Sequence, residues 1–169
     1  SITQIKYVTI GNGTDQITLD KLKEIRRDAV ASNTTITAQT KYVKVSDDTQ
    51  SNTPIYIWYE NGKLYWFSED DTPSLNASAY NMFRQLKSLQ TIPELNKIDT
   101  SKATSMHALF YQDSSLTEID VSKFNTSNVT NMQSMFNSCS GLTSLDVSHF
   151  NTSNVTNMYG TFYNCKLLT

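Results

Sequence analysis

Charge is scarce in this 169-residue sequence, and its scarcity excludes several kinds of partner. Charged residues make up 18% of the chain, below the usual quarter, and the formal net charge is −2. We therefore expect no nucleic-acid partner and no broad attraction to an anionic membrane. Two cysteines do not make a disulfide framework. The 38% hydrophobic content, with nine tyrosines and seven phenylalanines, still argues against a disordered chain.

Long apolar runs and targeting signals are also missing from the sequence. No apolar run approaches the roughly 20 residues that a helix needs to span a bilayer, and no signal-peptide pattern is present at the start. The chain begins without methionine and ends within a repeat. We therefore expect a fragment of a longer protein, in which segments outside this sequence provide any attachment to a membrane or cell wall.

The common motifs of catalytic, cofactor and metal sites are absent as well. The sequence contains no H-E-x-x-H, G-x-S-x-G, P-loop, G-x-G-x-x-G or C-x-x-C. Its two histidines, His107 and His149, each lie beside an apolar core residue and are predicted to be surface or rim residues. Residues 1–72 offer no convergent acid, base and nucleophile. We expect no catalytic residue, no cofactor, no metal site and no small-molecule substrate.

A 26-residue repeat fills the second half of the sequence. Residues 116–141 match residues 142–167 at 16 of 26 positions without an insertion. A degenerate copy precedes them once one inserted residue near Pro93 is allowed, so the array begins near Ser74. The same spacing relates Phe110, Phe136 and Phe162; Met106, Met132 and Met158; Leu116, Leu142 and Leu168; and Cys139 and Cys165.

Each copy has the pattern of a strand followed by a short helix. The segment LTEIDVS at 116–122 has the L-x-x-L-x-L spacing of the strand in leucine-rich repeats. The segment NTSNVTNMQSMF at 125–136 predicts the helix. Its candidate N-caps are Ser127 and Asn128, and its apolar stripe is Val129, Met132 and Phe136. One unit cannot bury its apolar face alone, so stacked copies should share a core and a parallel sheet.

The string LDVSHFNTSNVTNMYGTF resembles the BspA-like repeats of bacterial surface proteins, which also occur in mycoplasma-type surface lipoproteins. The resemblance covers residues 116–169 well and 83–115 loosely. Asp113 departs from it where later copies have Cys, and Thr161 departs where Met135 stands. The resemblance implies an extracellular location on the bacterial cell surface and a role in adhesion or host contact. It implies no catalytic residues.

Residues 1–72 have a different pattern and predict a separate α+β cap or small domain. Alternation predicts strands near its start and before residue 45, and the apolar stripe of residues 19–31 predicts a helix. Asn61-Gly62 predicts a type I′ hairpin turn that pairs Glu60 with Lys63. The whole chain is therefore predicted to be an α/β, leucine-rich-repeat-like solenoid of parallel strands and short helices, preceded by this cap with its β-hairpin. The array occupies residues 73–169 and is truncated at its C-terminus.

Both faces of the predicted hairpin are apolar, which leaves two interpretations open. One face carries Ile55, Ile57, Tyr59, Leu64 and Trp66, and the other carries Tyr56, Trp58, Tyr65 and Phe67. In the first interpretation the hairpin meets the first repeat or another strand layer, because a repeat array needs a cap. In the second, exposed aromatic side chains bind a glycan or peptide. The candidate ligand-binding residues of this platform are Tyr56, Trp58 and Tyr65.

The outward positions of the predicted strands offer a second candidate ligand-binding face. Its candidate residues are Glu118, Asp120, Ser144 and Asp146. Asp120 and Asp146 recur once per repeat, with Glu94 in the same phase. This column predicts either a Ca²⁺-binding carboxylate ladder or a hydrogen-bonded polar column. The positions are small and polar and lack the aromatic anchors that dominate tight interfaces.

The two cysteines share one position of the repeat, which also leaves alternatives open. Stacking would bring Cys139 and Cys165 within several ångströms of each other, near disulfide range. Residues in the same phase point in parallel, however, which hinders a bond. The alternatives are small buried thiols that fill the turn, a disulfide, or a reactive thiol.

These observations favour a cell-surface recognition or adhesion protein rather than an enzyme. In this interpretation the solenoid presents one face to a host or cell-surface protein or glycan. The alternative is a structural spacer that displays another domain. In that case the aromatic N-terminal domain would carry any ligand binding.

Overall fold

The computed structural model describes residues 4–5, 43–44, 55–60, 62–68, 73–75 and 77–169. Its regular elements are short, and the predicted helix at 19–31 lies outside the described residues. The elements are β1 (Gln4–Ile5), β2 (Val43–Lys44), β3 (Ile55–Glu60), β4 (Lys63–Ser68), β5 (Ser74–Leu75) and a 3₁₀ helix (Leu95–Lys97). β1 pairs in parallel with β5, and β2 pairs antiparallel with β3.

The predicted hairpin is confirmed in its position and its register. β3 and β4 are antiparallel, and Glu60 pairs with Lys63 across the turn. Gly62 has φ of +79°, the positive value that the second residue of a type I′ turn requires. An added Cβ at Gly62 would lie 2.7 Å from the Gln90 side chain. The Asn-Gly dipeptide and the period of two therefore suffice to predict this element.

One face of the hairpin packs against the first repeat. Ile57, Leu64 and Trp66 are buried. The Leu64 N–H donates to the Thr91 carbonyl at 3.1 Å, and the Trp66 indole N–H donates to the Pro93 carbonyl at 3.1 Å. This face therefore meets the repeat, as the first interpretation of the hairpin expects. The side chains of Tyr56, Trp58 and Tyr65, on the other face, lie outside the described residues.

Successive copies of the repeat lie side by side and share a column of backbone hydrogen bonds. Isolated parallel bridges join Ser78 to Ser105, Ser105 to Asn131, and Asn131 to Asn157. Beyond each bridge runs an eight-residue segment that we call the turn ladder: residues 79–86, 106–113, 132–139 and 158–165. In the first three segments, every second N–H donates to a carbonyl of the next copy at 2.7 to 3.0 Å.

The turn ladder occupies the segment that the apolar stripe predicted to be helical, and it consists of β-turns. The Met135 N–H donates to the Met132 carbonyl, and the Cys139 N–H donates to the Phe136 carbonyl. Ser134, at the third position of the first turn, has φ of 55°. The equivalent residues of other copies are also left-handed, namely Asn81 at 59°, Ala108 at 53° and Gly160 at 64°. Two turns of four residues reproduce the helical spacing of apolar side chains, and this explains the difference.

The segment predicted to be a strand also differs from expectation, although its side-chain pattern holds. Residues 116–122 form no regular strand, and the Thr117 N–H donates to the Gln90 carbonyl of the preceding copy at 3.1 Å. Leu116, Ile119 and Val121 are nevertheless buried. Inter-repeat pairing is concentrated in the turn ladder rather than here. The hydrophobic pattern therefore predicted burial correctly, but it did not predict the element.

Local Asx-type turns explain why the polar residues recur in every copy. The Asp120 carboxylate accepts the Ser122 N–H at 3.0 Å, and the Asn125 side chain accepts the Ser127 N–H at 3.0 Å. A side-chain oxygen that accepts the N–H two residues later stabilises a turn without regular secondary structure. Ser127 therefore closes a turn and does not cap a helix.

A buried threonine links each copy to the next. The Thr126 hydroxyl donates to the Asn151 carbonyl at 3.1 Å and accepts the Asn151 N–H at 2.8 Å. Thr100 makes the same pair of contacts with Asn125. The Asn128 side chain, predicted as a helix cap, donates to the Ser101 carbonyl of the preceding copy at 2.7 Å. The string NTSN therefore encodes contacts between copies.

The core consists of side-chain columns that run through the stack. Phe83, Phe110, Phe136 and Phe162 stack with successive ring-centroid distances of 5.6, 5.4 and 5.7 Å. Offset stacking of aromatic rings adds to the free energy gained by burying their area. Phe124 is also buried, outside this column of rings.

The cysteine column contains free thiols that donate hydrogen bonds. The Cys139 thiol donates to the Phe110 carbonyl at 3.0 Å, and the Cys165 thiol donates to the Phe136 carbonyl at 3.1 Å. Burial, and to a lesser extent the charge of Asp113, raises the pKa of the Cys139 thiol. Of the three interpretations of these cysteines, buried thiols that fill the turn agree best with this geometry.

Candidate functional site

Four of the predicted ligand-binding residues lie along one cleft of about 510 Å³. The cleft is formed by equivalent segments of three successive copies, at residues 91–94, 118–122 and 144–146. The predicted residues in its lining are Glu118, Asp120, Ser144 and Asp146. Because each copy contributes one segment, the cleft exists only where copies are adjacent.

Along each segment, buried side chains alternate with exposed ones, and this alternation forms the cleft. Ile92 and Ile119 are buried beneath it and connect it to the core. Four outward positions in each of the last two copies are exposed. They are Thr117, Glu118, Asp120, Ser122, Thr143, Ser144, Asp146 and Ser148. The L-x-x-L-x-L spacing was therefore sufficient to locate the exposed side chains of the cleft.

The cleft is acidic at neutral pH. The Ser122 hydroxyl and N–H, which both donate to Asp120, lower the pKa of that carboxyl. The Ser148 hydroxyl and N–H lower the pKa of Asp146 in the same way. Glu94 contributes a further carboxylate, and its Oε1 forms an ion pair with the Lys97 ammonium at 2.8 Å. A cationic or hydroxyl-bearing group therefore complements the cleft better than an anion does.

The recurring aspartates are explained by hydrogen bonding without a cation. Asp120 and Asp146 each accept two hydrogen bonds from the serine two residues later. Within the described part of the chain, no three His, Cys, Asp or Glu residues are arranged to hold a metal ion. Of the two interpretations of the column, the hydrogen-bonded one agrees with this geometry.

A second exposed surface, which the sequence patterns did not indicate, lies on the turn ladder. The second and sixth positions of each ladder segment are exposed or half-buried, and in the first three segments the residue before each of them is a buried apolar one. In the last copy these positions hold Tyr159 and Tyr163, which are 78% and 70% exposed. The sequence did contain one indication of this surface, in the positions at which two copies differ. Seven of the ten differences between 116–141 and 142–167 fall within 133–141 and its equivalent.

The two histidines lie on aromatic neighbours. The His107 ring packs edge-on against Tyr80, with 4.8 Å between centroids. Burial, and then the charge of Arg84, lowers the pKa of His107, so its imidazole is neutral at pH 7. His149 packs edge-on against Phe150 at 5.2 Å. Both are rim residues, as their places in the repeat predicted.

Comparison with known proteins identifies the repeat region. Among the described residues, no helix is both long and apolar enough to cross a membrane. No curated protein and no solved structure matches the chain. The family model described as "Mycoplasma protein of unknown function, DUF285" matches residues 77–169, more than half of the sequence. The chain therefore belongs to the DUF285 family.

Proposed function

We propose that this chain is a cell-surface recognition or adhesion protein, exposed on a bacterial surface. In this proposal its BspA-like, leucine-rich-type repeats stack into a solenoid and present exposed side chains to a host or cell-surface protein or glycan. The proposal involves no catalysis and no cofactor. It is supported by the way in which the repeat separates structural from exposed positions.

The observation that carries the proposal is the contrast between constant and variable positions of the repeat. Residues that join the copies stay the same, as Asn125 and Thr126 do in the next copy. Some exposed or half-buried residues change, so that Glu118 becomes Ser144 and Gln133 becomes Tyr159. A constant frame with changing exposed side chains is the arrangement that a repeat protein needs to recognise a partner.

The acidic cleft gives this proposal a specific location. It spans three copies, so it can receive an extended segment rather than a single group. Its exposed carboxylates at Glu118, Asp120 and Asp146 favour a partner that offers ammonium, guanidinium or hydroxyl groups. Lines of polar groups from adjacent copies suit extended binding by a repeat array.

The alternative function is that of a spacer. It is favoured by exposed positions that do not change between copies, such as Thr117 with Thr143 and Ser122 with Ser148. These side chains are small and include no aromatic anchor. A spacer would bind no partner through the repeats, and the hairpin would carry any recognition.

Binding of the labelled full chain to a monolayer of host epithelial cells tests the proposal. We expect saturable binding by the wild-type chain. Glu118→Arg with Asp146→Arg should weaken it at least tenfold if the cleft makes the contact, since both carboxylates are reversed. Ser114→Arg, at an exposed position outside the cleft lining, controls for added positive charge. Circular dichroism establishes that each variant is folded.

The outcomes separate the two functions. Saturable wild-type binding that survives the control substitution supports recognition. Absence of saturable binding by the wild-type chain overturns the proposal and favours the spacer. Binding that is unchanged by the cleft substitutions removes the cleft from the contact, although recognition elsewhere on the repeats would remain supported.

A further inference from the structure

We propose that the outward side chains of the turn ladder form a protein-binding surface, separate from the acidic cleft. We call this surface the ladder face. Its principal residues are Arg84, His107, Tyr111, Gln133, Tyr159 and Tyr163. The proposal rests on the proposed function in one respect, since the partner is expected on the host surface.

The exposure of the ladder face is a property of its positions in the repeat. Gln133 and Asn137 hold the two outward positions of an interior copy that has neighbours on both sides. Both remain partly exposed there. The residues between and around them, Met132, Met135 and Phe136, are buried. Every copy in the stack therefore presents its second and sixth ladder side chains to solvent, and the seventh, Ser138 in this copy, is partly exposed as well.

The segment that contains the ladder face is where otherwise similar copies differ most, and two of the differences fall on its outward positions, Gln133 and Asn137. Within residues 116–132 only three positions change in the next copy, whereas seven change within residues 133–141. Both outward positions become tyrosine, Gln133 giving way to Tyr159 and Asn137 to Tyr163. A surface with no binding role has no reason to gain two large, exposed aromatic side chains on one copy.

The composition of the face is that of a protein-recognition surface. Tyr, Arg and Trp are the side chains that contribute most often to hot spots of protein interfaces. Antibody loops combine Tyr with Ser, Gly and Asn for the same purpose. The last ladder segment and the residue before it read NMYGTFYNC, in which Tyr159 and Tyr163 flank Gly160 and Asn164 follows. The likeness to antibody loops is one of composition, because tyrosine offers a large contact area and loses little conformational entropy on binding.

Contacts within the face hold its side chains in place before any partner binds. The Arg84 guanidinium lies 4.8 Å from the centroid of the Tyr111 ring. The Asn157 amide donates to the Gln133 side chain of the preceding copy at 2.9 Å. The backbone of the two interior segments is tied to both neighbours by the ladder hydrogen bonds, and that of the last segment to the copy before it. Such ordering reduces the entropy lost on association.

The shape and charge of the face indicate a protein partner with an acidic or polar patch. The face extends over four copies, with steps of 5.4 to 5.7 Å between them. Small ligands need concave sites that enclose them, whereas an extended row of exposed side chains suits a protein surface. Arg84 is cationic, and the outward ladder positions, all within the described region, include no carboxylate. The face therefore differs in charge from the acidic cleft.

The test uses the full chain and host epithelial monolayers in three states: untreated, trypsin-treated and periodate-treated. Trypsin removes surface proteins, and periodate destroys most surface glycans. We expect Tyr159→Ser with Tyr163→Ser to weaken binding to untreated cells at least tenfold. Arg84→Gln should weaken it severalfold, and trypsin should abolish binding that periodate leaves intact. Both tyrosines are exposed, so the double variant should keep its fold, which thermal unfolding checks.

Failure of this inference can be told apart from failure of the proposed function. Wild-type binding that the double tyrosine variant and Arg84→Gln retain in full overturns the ladder face and leaves recognition standing. Binding that resists trypsin but is lost with periodate overturns a protein partner in favour of a glycan. If the wild-type chain binds no monolayer, the proposed function and this inference both fail.

Discussion

At the scale of single residues, Asp113 shows how one repeat position accommodates two chemistries. It stands where Cys139 and Cys165 stand in the later copies. Its Oδ1 accepts the Leu86 N–H at 2.7 Å, while Oδ2 is buried without a hydrogen-bond partner. Burial raises the pKa of Asp113 well above its ordinary range. A protonated carboxyl can donate a hydrogen bond, as the Cys139 thiol does toward the Phe110 carbonyl.

The protonation of Asp113 predicts a pH-dependent stability. Its folded-state pKa exceeds its unfolded-state value, so the unfolded chain ionises first as the pH rises. Between the two pKa values the contribution of this residue to the free energy of unfolding falls by about 1.4 kcal/mol per pH unit. Asp113→Cys, which restores the residue of the later copies, should remove that slope and raise the stability at pH 7.

Urea unfolding of both chains from pH 4 to pH 8 measures this difference. The aspartates with lowered pKa values, Asp120 and Asp146, contribute a slope of the opposite sign below pH 5. They are common to both chains, so they cancel in the comparison. Equal slopes for wild type and Asp113→Cys would show that Asp113 is ionised in the folded protein.

At the scale of the element, the hydroxyl of the buried threonine forms hydrogen bonds that join one copy to the next. Thr126 is 2% exposed, and its hydroxyl both donates to and accepts from Asn151. Thr126→Val keeps the shape but leaves the Asn151 N–H and carbonyl without these partners at a part-buried site. We expect a loss of about 1 to 3 kcal/mol in the free energy of unfolding. Thr126→Ser, which retains the hydroxyl, should cost about 1 kcal/mol through the lost methyl group.

The last copy provides a matched control for the threonine. Thr152 stands in the same local sequence, NTSNVTNM, but it is exposed. Thr152→Val should therefore change the free energy of unfolding by less than about 0.5 kcal/mol. Chemical denaturation of the three variants compares them directly. A Thr152 effect as large as that of Thr126 would mean that the substitution acts through local turn propensity rather than through the link between copies.

The elements also show where sequence reasoning succeeds and where it stops. The hairpin was predictable to its register because Asn61-Gly62 and the period of two are both local signals. Burial of the apolar columns was predictable because the 26-residue period places them in register. The turns were not, because two four-residue turns and a helix space Met132 and Phe136 alike. What distinguishes them is that every second ladder N–H pairs with the next copy, a partner far away in sequence.

The candidate sites also divide into one that the sequence predicted and one that it did not. Glu118, Asp120, Ser144 and Asp146 could be placed in one cleft because the strand-like alternation correctly separates exposed from buried residues. The ladder face was missed because the predicted helix at 125–136 drew attention to its apolar stripe and not to the side chains between the apolar residues. The boundary at residues 72 and 73 stays a prediction, although hydrogen bonds join β4 to Thr91 across it.

At the scale of the whole molecule, stacking of copies is what makes the apolar columns a core. Phe136 and Met132, flanked by copies on both sides, are 0% and 1% exposed. Phe162 and Met158 hold the same positions in the last copy and are 40% and 47% exposed. The difference between these pairs is the apolar area that one further neighbour would cover. Nearest-neighbour interfaces of this kind add their free energies along a repeat array.

Extending the array by one copy therefore tests the proposed solenoid directly. Leu168 and Thr169 are in phase with Leu142 and Thr143, so appending the sequence of residues 144–167 continues the repeat. The new copy should cover Phe162 and Met158 and supply carbonyl acceptors for the last ladder segment. Covering two half-exposed apolar side chains and extending the ladder should raise the free energy of unfolding by about 2 kcal/mol or more.

The matched control is the same extension with serine in place of the phenylalanine that continues the column of Phe136 and Phe162. It adds equal length and equal turn sequence but does not continue the stacked ring column. A raised thermal midpoint for the phenylalanine extension, with a smaller rise for the serine control, supports stacking through the interface seen between existing copies. If neither extension raises the midpoint, the copies do not propagate through this interface. The cleft and the ladder face would then be limited to the copies already present, because both surfaces grow only when each added copy joins the same stack.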